Sequence, residues 1–160
     1  MHVSVPLRDL SLLRMPFTPE TGRRTAYALL ALPAGLLSVP LSVAGRRPQQ
    51  AVARRFLGLD LAGGRLRSVA HAVIALPLNV LTLVITGYGW AIVVLNLAYP
   101  IRPLLGMGGS LSGAWGGPTL AGAWAVHALG GLLFLYLTPL LVRGLTGLQG
   151  GLLGRILGTA

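Results

Sequence analysis

The chain contains no cysteine and no lysine. Without thiols there can be neither a disulfide framework nor a thiolate metal site, and the redox state of the compartment leaves no mark. Acidic residues are almost as scarce. Asp9, Glu20 and Asp60 stand singly, so the paired carboxylates of general acid–base or glycosidic catalysis are missing. His2, His71 and His127 are the only imidazoles, without the close spacing of a zinc site. The glycine-rich run from Gly106 to Gly113 has neither the lysine nor the spacing of a phosphate loop. Ser38, Ser42, Ser110 and Ser112 lack a neighbouring base in sequence. No catalytic residue, metal site or cofactor is expected, and the residues do not describe an enzyme.

Charge of either sign is rare over long intervals. Thirty-four uncharged residues separate Arg67 from Arg102, and residues 103–142 form a second uncharged stretch. About 20 apolar residues cross a ~30 Å hydrocarbon core, and an unpaired charge inside it is costly, so such stretches belong in lipid. With 54% hydrophobic residues, 10% charged residues and a mean hydropathy of +0.75, the chain is too apolar for a soluble surface and has room for a few helices. The reading is one small all-α membrane domain, a multi-pass protein of the cell membrane.

The charge that is present is arginine, thirteen residues giving a net +10. In a soluble protein this would suggest nucleic acid. Here the arginines flank apolar segments and no basic face with interleaved aromatics occurs, so they read as topology signals and contacts to anionic lipid, not to nucleic acid.

Three apolar segments are expected, at 25–45, 68–101 and 119–142, after an N-terminal tail of residues 1–24. The first contains Pro33, Gly35 and Pro40, which leaves a kinked span or a re-entrant hairpin open. The second is long for one helix and short for two; it is expected as one tilted helix kinked at Gly87-Tyr88-Gly89. The linker 103–118 carries six glycines and no charge, as a surface turn would.

Placing both flanks of the first segment in the cytoplasm puts twelve of the thirteen arginines inside, all but Arg102. An N-terminus outside is the alternative. Arg23-Arg24 before an apolar run ending Ser42-Val43-Ala44 is also similar to an export signal, although the long leader and the prolines argue against cleavage.

Two stretches read as amphipathic helices on the inner leaflet. In 48–60, Val52, Phe56 and Leu59 recur at helical spacing while Gln50, Arg54 and Arg55 fill other faces. In 143–158, Leu145, Leu148, Leu152 and Ile156 form a stripe. Arg46, Arg47, Arg54, Arg55, Arg143 and Arg155 are the expected contacts to lipid phosphate.

On the long second segment Ala72, Ala75, Asn79, Thr82, Thr86, Gly89, Val93 and Asn96 follow one another by three or four residues. Small and polar side chains therefore share one face, which in lipid permits close backbone approach and interhelical hydrogen bonds. Ala123, His127, Gly130 and Gly131 offer a matching face on the third segment, expected to run antiparallel to the second. Counting residues from Arg102 and Thr119 brings Asn96 and His127 to similar depth. His127 then has two readings, a structural hydrogen bond to Asn96 or a ligand- or proton-sensitive switch.

An internal repeat is visible. At an offset of 44, Ala26/Ala70, Ala31/Ala75, Leu32/Leu76, Pro33/Pro77 and Leu37/Leu81 are identical, and Arg55-Phe56-Leu57-Gly58 echoes Arg155-Ile156-Leu157-Gly158. With Tyr27, Gly35, Tyr99-Pro100, Gly130-Gly131 and Pro139, this order resembles the sensor domain family, a four-helix membrane module found before actinobacterial sensor histidine kinases and also alone. The resemblance covers residues 24–158, with one helix fewer in the first half and Asn79 where glycine is usual. It implies a membrane sensor or accessory signalling module acting through another membrane or signalling protein. A structural or assembly subunit of a larger complex is the alternative, a transporter or channel component a more distant one, and a homo-oligomer is left open.

Overall fold

The computed structural model describes residues 12–158; His2, Arg8 and Asp9, with residues 1–11 of the tail expected at 1–24, lie outside the described residues. The architecture is all-helical, with no strand among the described residues. Five α-helices follow in order: α1 (Pro19–Leu41), α2 (Pro48–Leu57), α3 (Arg65–Ile74), α4 (Leu76–Leu97) and α5 (Leu120–Leu157). Helices α1, α4 and α5 are long and apolar enough to cross a membrane. The chain divides into two compact units, Met1–Thr86 with Pro139–Ala160, and Gly87–Thr138.

Local chemistry sets the helix ends. Thr18 caps α1 by accepting from the Thr21 amide at 3.2 Å, with Pro19 in the first turn, where its missing N–H costs nothing. Helix α2 begins on Pro48 and ends at Gly58, whose φ of 68° is left-handed. The Gly58 amide donates to Arg54 O and the Leu59 amide to Ala53 O, the paired bonds that close a helix C-terminus. Helix α5 also ends at a left-handed glycine, Gly158 with φ 73°, whose amide donates to Gly154 O at 3.0 Å. The two Arg-x-Leu-Gly sequences are thus two glycine-terminated helix ends. The chain just past the first of them meets the second, since the Ala62 amide donates to Gly158 O at 3.2 Å.

The structure corrects several expectations. Residues 25–45 do not form a hairpin, because α1 runs unbroken through Pro33 to Leu41. The returning limb is α2, which packs back along α1 and places Ala53 against Tyr27 and Ala31. The second apolar segment breaks at Ala75, between α3 and α4, and not at Gly87-Tyr88-Gly89, which stays helical. Pro77 explains this, because it supplies no amide to the turn before it and its ring crowds the carbonyl of Val73. Glycine only lowers helix propensity. Residues 143–158 are not a separate interfacial helix either, since α5 continues through Pro139 to Leu157.

The first unit is closed by Tyr27, Ala31, Ala53, Leu61, Leu153 and Leu157, with Val52, Phe56, Leu57, Leu59 and Ile156 packed around them. The apolar stripe expected on α2 therefore faces protein. On α5 the buried line is Val142, Thr146, Gln149, Leu153 and Leu157, while Leu148 is exposed. Thr146 and Gln149 point inward while Leu140, Leu141 and Leu148 point outward, an arrangement that helices in lipid allow.

In the second unit, α4 and α5 run antiparallel. A Cβ built on Gly89 falls 2.5 Å from Thr138 Oγ1, one on Gly131 falls 2.9 Å from Leu97 Cδ2, and Trp124 Nε1 donates to Leu97 O at 3.1 Å. Glycine is what lets the backbones approach.

Candidate functional site

Two regions gather polar chemistry, one in each unit. In the first unit, helices with apolar exteriors enclose hydrogen-bonding side chains. Gln49 Nε2 donates to Ser68 O at 2.7 Å, and its Oε1 lies 3.0 Å from His71 Nδ1. The first bond fixes the amide orientation, so Oε1 can only accept and His71 Nδ1 carries the proton. His71 Nε2 is then a bare acceptor, buried without a hydrogen-bond partner. Ser38 Oγ accepts from the Gln49 amide at 3.2 Å and donates to Ala34 O. Gln50 Nε2 reaches Gly63 O at 2.8 Å and Ser68 Oγ at 3.2 Å.

Burial pushes the His71 imidazole down to about 4 from its ordinary 6.5. The geometry gives the reason: a second proton would place an N–H on Nε2, where nothing accepts it. His71 lies on α3, outside the three long helices.

Farther along the same unit, Gln149 Nε2 donates to Asn79 Oδ1 at 2.7 Å, linking α5 to α4, and Gln149 Oε1 is buried without a partner. A Cβ built on Gly35 lies 3.4 Å from Asn79 Nδ2, so α1 also packs on this amide. Ala72, Ala75, Asn79, Thr82, Thr86, Gly89 and Val93 are all buried, and Asn96 is half-buried. Gln49 and Gln149 were not singled out in the sequence, and Gln50, expected on a polar face of the 48–60 helix, is buried instead. In Arg- and Gly-rich stretches a glutamine reads as solvated, and only its position on the buried arc would have signalled otherwise.

In the second unit Asn96 and His127 do not bond to each other. Asn96 Nδ2 donates to Ile92 O at 2.8 Å, and His127 Nδ1 meets Ala123 O at 2.8 Å. Each turns back on its own helix, because the adjacent carbonyl one turn earlier is the nearest acceptor. They are nevertheless brought to one place. Asn96, Tyr99, Arg102 and His127 line a groove of about 480 Å³ whose remaining wall is apolar, including Leu95, Ile101 and Met107. His127 stacks on Tyr99, centroids 4.0 Å apart, and the Arg102 guanidinium lies 5.0 Å from the same ring. Gly131 packs against Asn96 and Leu97, and Gly130 faces the Asn96 amide. Tyr99 escaped the sequence reading as a site residue because the Tyr-Pro pair reads only as a helix end.

Arg46, Arg47, Arg54, Arg55, Arg143 and Arg155 are all exposed. Arg54 pairs with Asp60 at 3.0 Å, and Arg55 lies 5.9 Å from the Phe56 ring.

These features define a class, a small all-helical protein with three helices able to span a membrane, compatible with a multi-pass membrane protein. No family model, curated protein or solved structure matches the chain.

Proposed function

We propose that the protein is an integral membrane sensor or accessory signalling module that acts through a partner protein, and that the groove at Asn96, Tyr99, Arg102 and His127 takes its ligand. The observation that carries this reading is the groove itself. A cation, a stacked imidazole–phenol pair and an amide share one end of an otherwise apolar depression. Mostly apolar walls with a few convergent polar groups are the usual make-up of a small-molecule site. An amphiphile fits best, its chain on the apolar wall and its polar end at Arg102. Resemblance to the sensor domain family supports the same role.

A photoactivatable fatty acid added to the purified protein tests it. Crosslinks should concentrate within residues 94–107 and near His127, and should fall severalfold in Arg102→Gln and His127→Gln. Crosslinking spread evenly over the lipid-facing helices would remove the ligand reading.

A second reading, a subunit of a larger membrane assembly, is favoured by a different observation. Gly144, Gly147, Gly151 and Gly154 recur every three or four residues on α5, and a Cβ at each would meet nothing within 4 Å. Such a glycine face admits another helix closely. Affinity capture after crosslinking, with and without the fatty acid, separates the two. A partner whose recovery follows the ligand supports sensing, and one indifferent to it supports assembly.

A further inference from the structure

Beyond that reading, the first unit holds a second hollow of about 390 Å³, lined by Glu20, Arg23, Arg24, Phe56, Leu59 and Thr146 among others. We infer that it is a binding site for the phosphate headgroup of an anionic phospholipid.

Arg24 is held in place before any ligand arrives. Its Nε bonds Glu20 Oε1 at 2.9 Å and its Nη1 donates to Thr146 Oγ1 at 3.0 Å. Thr146 Oγ1 in turn donates to Val142 O at 2.7 Å, so its lone pairs face the guanidinium. These two bonds use two of the five N–H donors of an arginine. The side chain is 28% exposed, so the group is partly withdrawn from water, where a charge-assisted bond to phosphate gains strength. Arg23 lines the same hollow.

An adjoining hollow of about 200 Å³ shares Glu20 and Arg24 and adds Arg143. Three guanidinium groups thus surround one carboxylate, and the pair of hollows keeps a net positive charge that Glu20 does not cancel.

The apolar residues decide between a lipid and a free anion. Phe56, Leu57 and Leu59 form one wall beside the arginines, a surface that suits acyl chains and that inorganic phosphate has no use for. Depth agrees. Arg143 is the first charged residue after the uncharged stretch 103–142, which marks the level where hydrocarbon gives way to headgroups. No arginine of this trio except Arg143 stood among the expected phosphate contacts, because Arg23-Arg24 reads as a topology signal until α2 folds back beside it.

The test uses the full chain in maltoside detergent with a short-chain fluorescent phosphatidylglycerol, and phosphatidylcholine as the neutral comparison. Phosphatidylglycerol should bind the more tightly. Arg23→Gln should weaken its binding about fivefold, the effect of one guanidinium near an anionic headgroup, and Arg23→Gln with Arg24→Gln should weaken it further. Arg65→Gln with Arg67→Gln removes equal charge at two exposed positions that line neither hollow and should change binding less than twofold. Circular dichroism checks each fold, and Arg23→Gln keeps the test valid if loss of the Arg24–Thr146 bond unfolds the double variant. Equal losses in the Arg65/Arg67 control would mean diffuse charge and no site. Full displacement of the lipid by millimolar inorganic phosphate would mean a free-anion site. Either result overturns the inference.

Discussion

His71 shows how one buried side chain couples this fold to pH. Its imidazole is neutral in the folded chain, with Nδ1–H facing Gln49 and Nε2 unpartnered. Its folded value of about 4 lies below the ordinary 6.5, so between those values the unfolded chain binds the extra proton and the folded chain does not. Stability is therefore fully present above about pH 6.5 and declines as the pH falls toward 4. Thermal unfolding in detergent should show a lower midpoint at pH 4.5 than at pH 7.5. In His71→Gln, which keeps an amide donor toward Gln49 without a titrating ring, the two midpoints should converge. An undiminished acid sensitivity in that variant would assign the effect to another group.

At the scale of elements, the α4–α5 contact is a matter of single atoms at single positions. Gly87 and Gly89 stand two residues apart on α4, yet a Cβ at Gly87 meets nothing within 4 Å whereas one at Gly89 falls 2.5 Å from Thr138 Oγ1 and 2.8 Å from Thr138 Cγ2. Gly87→Ala should be neutral or stabilising by up to about 1 kcal/mol, from helix propensity. Gly89→Ala should cost about 1–3 kcal/mol, from overpacking. Melting of the two variants in one detergent checks the contrast, and equal behaviour would show that the helices are free to separate there.

The same scale shows what could be read beforehand. The three- and four-residue spacing of Ala72, Ala75, Asn79, Thr82, Thr86, Gly89 and Val93 was legible because small and polar residues are conspicuous among leucines, and all are buried. Pro77 marked the Ala75 break only as one candidate, since α1 and α5 run on through Pro33 and Pro139. The inward glutamines were not legible, because period alone cannot say which face of a short helix meets protein when both its surroundings, lipid and neighbour, accept leucine. Nor was the turn of Asn96 and His127 to their own carbonyls, since depth along two helices says nothing of rotamers.

For the molecule as a whole, the arginines carry the orientation. Arg102 is the one cation between Arg67 and Arg143, and from the positive-inside tendency we propose that its loop lies outside and the arginine-bearing end of α5 toward the cytoplasm. A chain without cysteine makes this easy to measure. Ser110→Cys should react with an impermeant thiol reagent on intact cells, and Arg155→Cys only after permeabilisation. The reverse pattern would invert the proposed topology and move the groove at Asn96 and His127 to the other face. Gln50 is unsuitable as a reporter, since it is buried against Gly63 and Ser68.

Leu153 and Leu157, both essentially inaccessible, fill the space between Tyr27, Ala31, Ala53 and Leu61. The keystone between α1 and α2 therefore comes from α5, which is synthesised long after both. Until the ribosome has made that helix, α1 and α2 have an empty slot where two leucines belong, and the glutamine and histidine partners beside it stand half enclosed. Assembly of this unit has to wait until Leu157 has been made. A nascent chain stalled before residue 150 should accordingly be cut readily by protease within 42–64, where the finished protein resists.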